Sequence, residues 1–455
     1  MKERRKILPL RRSGRNRRAV GNLTRLASVS FFTWTAAVAA DDQAIKRARE
    51  AFRFLSEEKF EDFAAASDDK MREVLPAAKL KEVWAAVTGS AGKFERELSV
   101  TATAVGELTT VEFVCKFALA TLKVRISLHK DGRVAGLFFL PGETSEYNPP
   151  AYADPAKFRE EEVTLRVGAF ELPGTLTLPK AGAPVPGVVL VHGSGPHDRD
   201  ETIYGNKPFK DLAWGLATRG IAVIRYEKRT LKYGTALDPK TLTLDQEATD
   251  DALAAAKLLM ERPEVDPKRV FILGHSLGAM AAPRAARKEP RIAGVILFAG
   301  ASRSLTDLVP EQIEYMAKVD GTIDEAEQKQ LDEIRRQAAA IRDNTWKPGD
   351  TLLGAPAEYW AMLYKIDAVA DVRDLTIPVL IAQGSRDYQI PAAKDFEKWR
   401  RTLGDRSNVT LELFDGLDHL FRKGEGPSTP QQYQQAGHVD EGTLIFLERW
   451  IRTRR

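Results

Sequence analysis

The sequence predicts an α/β chain: a mostly parallel central sheet flanked by helices, preceded by a small α+β domain. Three observations predict it. From about residue 158 onward, short apolar runs alternate with helical stretches, the rhythm of parallel strands joined by crossover helices. One of those runs, Arg269-Val270-Phe271-Ile272-Leu273, feeds directly into Gly274-His275-Ser276-Leu277-Gly278 and then into alanine-rich helical sequence. Residues 94–140, in contrast, alternate apolar and polar positions with the period of half-buried strands.

The first domain is read over residues 41–140. Ala48, Ala51, Phe52, Leu55, Phe60, Phe63 and Ala64 recur at three- and four-residue steps, so residues 41 to about 88 form helices, punctuated by Pro76. Strands follow at Leu98–Ala102, Val111–Phe117, Leu122–Leu128 and Val134–Leu140, with a hairpin turn at Lys130-Asp131-Gly132-Arg133. Residues 141–157 hold Pro141, Pro149, Pro150 and Pro155 and read as a stiff linker. The second domain, 158–455, opens on a strand pair at Glu162–Val167 and Phe170–Leu178. Buried runs follow at Val188–Val191, Ile221–Ile224, Val270–Leu273, Val295–Phe298 and Val379–Ile381. Residues 301–371 break the rhythm. They are helical and charged, and they fall between the sixth and seventh strands, so they are expected to form a helical cap over the strand ends.

The net charge of +4 hides an asymmetry. Residues 1–40 hold ten Lys or Arg against the single acid Glu3, a local +9 that leaves −5 on the rest. A nucleic-acid-binding protein would carry its positive charge on the folded part, so no nucleic-acid partner is expected. The basic stretch ends at Arg25. An apolar run, Leu26–Ala40, follows and closes in Ala37-Val38-Ala39-Ala40 before Asp41. Basic, then apolar, then small residues is the order of a signal peptide, so residues 1–40 are expected to direct export and to be removed. The run is shorter than the roughly 20 residues that span a bilayer, so no stable membrane insertion is expected once the segment is cleaved. Arg11-Arg12 and Arg17-Arg18 permit a twin-arginine route. The single cysteine, Cys115, forms no internal disulfide and sits in an apolar strand, as a buried structural thiol would.

Ser276 carries the chemistry. A serine in a tight strand-to-helix turn is a nucleophile elbow. The turn leaves no room for side chains two residues before and two after, where Gly274 and Gly278 stand. A serine alcohol is a weak nucleophile until a base, a group that orients the base and oxyanion donors surround it. The chain order that accompanies this elbow is Ser, then Asp or Glu, then His. The base is expected at His419, in the loop after the strand Val409–Leu413. The rival His438 precedes the final helix with no strand leading it toward the site. The orienting acid is expected at Asp387, just after the strand Ile377–Ala382. Asp367, Asp371 and Asp374 precede that strand, and Asp415 and Asp418 crowd the histidine. The oxyanion donors are expected to be the backbone N–H groups of Leu277 and of Ser194, the latter in the loop Val191-His192-Gly193-Ser194-Gly195-Pro196.

With these residues in view, 160–455 resembles α/β-hydrolase-fold esterases of the dienelactone-hydrolase-like branch. His192-Gly193-Ser194-Gly195-Pro196-His197-Asp198-Arg199-Asp200-Glu201 is similar to that branch's His-Gly-Ser-Gly-Pro-x-Asp-Arg-Asp-Glu motif. Gly384–Gln389 and Leu417–Phe421 are similar to its acid and histidine segments. The resemblance implies a catalytic triad of Ser276, Asp387 and His419, hydrolysis of carboxylic esters, usually short acyl ones, and no cofactor. One segment departs. Relatives have Arg-Tyr-Asp-Lys-Arg-Gly-x-Gly where this chain has Arg225-Tyr226-Glu227-Lys228-Arg229-Thr230-Leu231-Lys232, without the glycines. Residues 41–140 resemble a nuclear-transport-factor-type fold, which implies nothing about their role.

The expected function is therefore an exported serine esterase acting on a small-molecule ester, with neither metal nor cofactor. A peptidase of the prolyl-oligopeptidase kind shares the triad order, but the hundred residues before the hydrolase sheet cannot supply its β-propeller. Thioester hydrolysis, or a non-catalytic binding role on the same scaffold, are further alternatives. The sequence sets neither the acyl length nor the oligomeric state.

Overall fold

The computed structural model describes residues 28–118, 120–142, 147–319 and 321–454. Residues 1–27, and with them the basic part of the expected export segment, lie outside the described residues. The first helix, α1 (Ser28–Ser56), begins within the apolar part of that segment and runs on into the first domain. Among the described residues, no helix is long and apolar enough to cross a membrane.

Three shorter helices follow α1: α2 (Phe60–Ala65), α3 (Asp69–Val74) and α4 (Ala77–Ala91). They pack on one face of an antiparallel sheet, β1 (Phe94–Val105), β2 (Leu108–Phe117), β3 (Thr121–Leu128) and β4 (Val134–Pro141), ordered β1-β2-β3-β4. The strand residues expected inward bury the core. Val111, Phe113, Cys115, Phe117, Val124 and Ile126 pack against Phe52, Phe63 and Trp84. Cys115 is wholly buried, and burial pushes its thiol up to about 12, so it stays a neutral, inert group.

The second sheet has eight strands: β5 (Phe158–Val167), β6 (Phe170–Pro179), β7 (Val185–Val191), β8 (Ala222–Tyr226), β9 (Val265–His275), β10 (Gly294–Phe298), β13 (Val379–Gly384) and β14 (Val409–Phe414). The order is β14-β13-β10-β9-β7-β8-β6-β5. Only β5, β6 and their junction with β8 are antiparallel, and the rest is parallel. Both faces are covered. α5 (Pro208–Thr218) and α14 (Glu441–Arg452) share one core with one face of the sheet. α7 (Asp250–Met260), α8 (Leu277–Lys288) and α13 (Asp395–Leu403) pack into the other. That double burial is why the strands read as continuous apolar runs rather than alternating ones. A short helix, α6 (Arg229–Tyr233), fills the loop after β8, where the glycines of related chains are missing.

Between β10 and β13 stands the helical insertion. It holds α9 (Leu305–Ala317), α10 (Glu325–Arg342), α11 (Ala357–Tyr364), α12 (Ala368–Arg373) and a two-stranded ribbon of β11 (Thr351–Leu352) and β12 (Ala355–Pro356). α10 starts on a capping box, in which Asp324 accepts from the Glu327 N–H while the Glu327 carboxylate accepts from the Asp324 N–H. The insertion has its own small core of Val309, Ile334, Ala338, Ile341 and Leu352.

Candidate active site

The parallel strands β7, β9, β13 and β14 deliver the four loops that matter to one end of the sheet. Ser276 sits between β9 and α8 with φ +53° and ψ −115°, a conformation that a non-glycine residue holds only when the surroundings enforce it. The surroundings are the two glycines. A Cβ on Gly274 would lie 2.0 Å from the Gly278 carbonyl oxygen, and one on Gly278 would lie 2.2 Å from that of Val191. The Ser276 N–H donates to the Phe298 carbonyl at 2.9 Å, which ties the turn to the end of β10.

Asp387 and His419 meet. His419 Nδ1 is 2.7 Å from Asp387 Oδ2, and both side chains are buried. Asp387 is itself held still. Its Oδ1 accepts from the N–H groups of Gln389 and Ile390 at 2.8 and 3.0 Å, and its Oδ2 also accepts from Gln383 Nε2 at 2.7 Å. With Nδ1 bonded to this carboxylate, Nε2 is the ring nitrogen of His419 left for another partner. The histidine loop is pinned to the elbow through its neighbour. His275 Nε2 donates to the His419 carbonyl at 3.0 Å, and the two rings pack with centroids 4.7 Å apart.

The rival groups are engaged elsewhere. His438 Nδ1 pairs with Asp211 at 3.1 Å, beside Tyr147, and His129 pairs with Asp68 in the first domain. Asp367 caps α12, Asp371 and Asp374 face Arg287, Asp415 accepts from Ser385, and Asp418 pairs with Arg422.

The two expected oxyanion donors border Ser276. Leu277 is the first residue of α8, where helix N–H groups lack intrahelical acceptors and the helix dipole favours negative charge. Ser194 follows Gly193, on which a Cβ would lie 3.2 Å from the Ser276 Cβ. Neither N–H meets a protein acceptor among the described residues. The Ser194 carbonyl is turned to His197, whose Nε2 lies 2.6 Å away.

Four further side chains shape this site, and no role for them was read from the sequence. Glu201, buried and with φ +51°, accepts from the Gly193 N–H through Oε1 at 2.6 Å and places Oε2 2.9 Å from His275 Nδ1. Burial alone would raise its carboxyl, but the charge and hydrogen bond of His275, with His197 and His192 nearby, together outweigh it and hold Glu201 at about 2. Burial would likewise lower His275, and Glu201 instead leaves it raised. Lys228, in the departing segment, donates to the Gly193 carbonyl at 2.7 Å and pairs with Glu247 at 2.6 Å. Glu201 ends the Asp-Arg-Asp-Glu motif, so the motif's extent was the available signal. Nothing local marked Glu247.

The insertion closes over these loops from two sides. Tyr315 of α9 stacks on Tyr388, beside Asp387, with centroids 5.2 Å apart, and Gln312 donates to the Gln389 carbonyl at 2.8 Å. Tyr359 of α11 donates to Glu247 at 2.7 Å. Among the described residues there is no cluster of three His, Cys, Asp or Glu side chains suited to a metal ion.

The profile of the Alpha/beta hydrolase family matches residues 188–431, more than half of the chain, and a family described as a protein of unknown function (DUF3887) matches residues 48–137. Esterase EstD of Thermotoga maritima is 38% identical over 408 residues, covering 89% of this chain and 95% of that protein. Among solved structures, the acylaminoacyl peptidase of Pyrococcus horikoshii aligns over 78% of this chain and 56% of its own at 14% identity and TM-score 0.46. The dienelactone hydrolase of Anabaena variabilis aligns over 66% of this chain and 99% of its own at 18% identity and TM-score 0.40. The strand order, the elbow, the family match and the near full-length relative agree: the chain belongs to the alpha/beta hydrolase family.

Proposed function

We propose that the protein is an exported serine esterase that hydrolyses small carboxylic esters, short acyl esters first among them, through an acyl-enzyme. The observation that carries this reading is the His419 imidazole held at 2.7 Å by the buried Asp387, in a loop hydrogen-bonded to the residue preceding Ser276. The similarity to an esterase over nearly its whole length supports the choice of ester as substrate.

In this mechanism His419 Nε2 takes the proton of the Ser276 hydroxyl as the oxygen attacks the ester carbonyl. The Ser194 and Leu277 N–H groups receive the oxyanion. Asp387 stabilises the imidazolium and keeps its orientation. His419 then passes the proton to the departing alcohol. A water molecule, deprotonated by the same histidine, releases the acid and restores Ser276. Neither a metal nor a cofactor enters any step.

The test is a series of p-nitrophenyl esters of rising acyl length. Turnover is expected to be highest on the shortest esters and to fall by about 10⁴ or more in Ser276→Ala. Equal rates for the mutant and the wild type would overturn the mechanism. Export is supported by the order of charge and hydropathy in residues 1–40. Cells producing the full chain should accumulate a shortened form outside the cytoplasm. Full-length protein retained only in the cytoplasm would refute export.

A further inference from the structure

Lys228 is 2% exposed, and its partner Glu247 is 3% exposed. Burying a lysine and a glutamate costs each its hydration, and such a pair is often no more stabilising than well-packed apolar side chains would be. Its geometry points to another use. The ammonium does not face the carboxylate alone, since Nζ also donates to the Gly193 carbonyl at 2.7 Å. That carbonyl and the Ser194 N–H belong to one peptide group. The group is planar and trans, so its C=O and N–H point in opposite directions and turn together. Whatever holds the Gly193 oxygen therefore aims the Ser194 N–H. A cation on the oxygen also draws electrons from the amide and makes its N–H a stronger donor.

The rest of the departing segment works to the same end. The Lys228 N–H donates to the His197 carbonyl at 3.0 Å, and Thr230 Oγ1 donates to the Gly195 carbonyl at 3.3 Å. Three carbonyls of the loop, at positions 193, 195 and 197, are thus gripped from residues 228–230. Glu247 in turn lies in a π-helical turn, Asp245–Thr249, a local irregularity that often marks a functional position. Its second oxygen accepts from Tyr359 of α11 in the cap at 2.7 Å.

We propose that Lys228 is a positioning residue for the oxyanion donor, fixing and polarising the Gly193–Ser194 peptide, and that Glu247 and Tyr359 make this hold depend on the seat of the cap. The proposal rests on the serine-esterase reading above, and its failure is separable from failure of that reading.

The experiment is steady-state hydrolysis of p-nitrophenyl acetate by the full chain, with inhibition by an alkylboronic acid as a probe of transition-state binding. Lys228→Met is expected to lower kcat by about 100-fold or more, with KM within about threefold, because the oxyanion contact is made in the transition state. The boronic acid should bind more weakly by a similar factor, while a ground-state amide analogue of the substrate binds as before. Lys228→Met leaves the Glu247 carboxylate buried without its cation, so Lys228→Met/Glu247→Gln is measured beside it and should show the same loss of kcat. Tyr359→Phe removes one hydroxyl from a half-buried side chain and should lower kcat about three- to tenfold at unchanged KM. Activity retained in Ser276→Ala would sink the esterase reading itself. With Ser276→Ala inert, a folded Lys228→Met/Glu247→Gln protein with wild-type kcat would overturn the positioning role. Equal weakening of the boronic acid and the amide would overturn it too, since that pattern marks general damage. If neither lysine variant folds, an unchanged kcat in Tyr359→Phe overturns the proposal.

Discussion

Glu201 shows how one carboxylate can serve two neighbours of Ser276. One oxygen holds the Gly193 N–H and the other faces His275, which carries the backbone of the histidine loop. The charges give this arrangement a pH signature. Glu201 is held down at about 2 against an unfolded value of about 4.3, so its contribution to stability is present above the latter and is lost as pH falls toward the former. His275 is raised above its unfolded value of about 6.5, so its share is complete below that value and fades as pH climbs through the folded one. The pair is one interaction, and its window of full strength runs from about pH 4.3 to about 6.5. Glu201→Gln keeps an acceptor for Gly193 and removes the charge. It should cost about 2 kcal/mol within that window. The gap in Tm from the wild type should narrow as pH is lowered toward 2. A gap independent of pH between 2 and 6 would show that the charge contributes nothing.

At the scale of elements, the elbow is the feature that sequence alone comes nearest to dictating. β9 delivers the turn, α8 leaves it, and the two glycines stand where Cβ atoms would strike backbone. Backbone cannot swing aside as the end of a side chain can. Gly278→Ala is therefore expected to yield insoluble protein or a Tm lowered by several degrees, roughly what 2–4 kcal/mol produces in a domain of this size. Gly89→Ala, in α4 with nothing within 4 Å of the added methyl, should leave Tm unchanged or slightly raised. Thermal denaturation of the two variants side by side checks both. The cap behaves as an element of its own, with a separate small core, and it is strapped to the loop after β13 through Gln312 and Tyr315 and to Glu247, in the turn before α7, through Tyr359. Its hydrogen bonds thus reach the two sides of the site.

In the molecule as a whole, the first domain does not stand apart from the hydrolase sheet. Arg125 of β3 pairs with Glu112 and donates to the Leu231 carbonyl at 2.8 Å. A cleft of about 560 Å³ lies there, between Thr103, Thr110 and Phe138 of the small sheet and Pro196 and Thr230 of the hydrolase loops. Pro196 is two residues from Ser194, so the face of the small sheet opposite its helices looks onto the loop after β7. This juxtaposition was not legible in the sequence, because the exposed side of an antiparallel strand reads as polar whether it faces water or a second domain.

By itself the sequence determined the two sheets, the parallel character of the larger one and the neighbourhood of Ser276. Each is written locally, in strand-length apolar runs, in the 2.0 and 3.6 periods, and in glycines whose steric reason lies within a few residues. That Asp387 and His419 would come together was legible for a related reason: each follows a buried strand, and parallel strands bring their C-terminal ends to one edge. What only the tertiary structure decided is how the loop after β7 is held. Lys228 reaches a carbonyl 35 residues earlier, and Glu247 meets a tyrosine 112 residues later. No local pattern encodes such pairings. Buried charges find partners by proximity in the folded chain, and that proximity exists only once β7, the turn before α7 and the cap have been packed together.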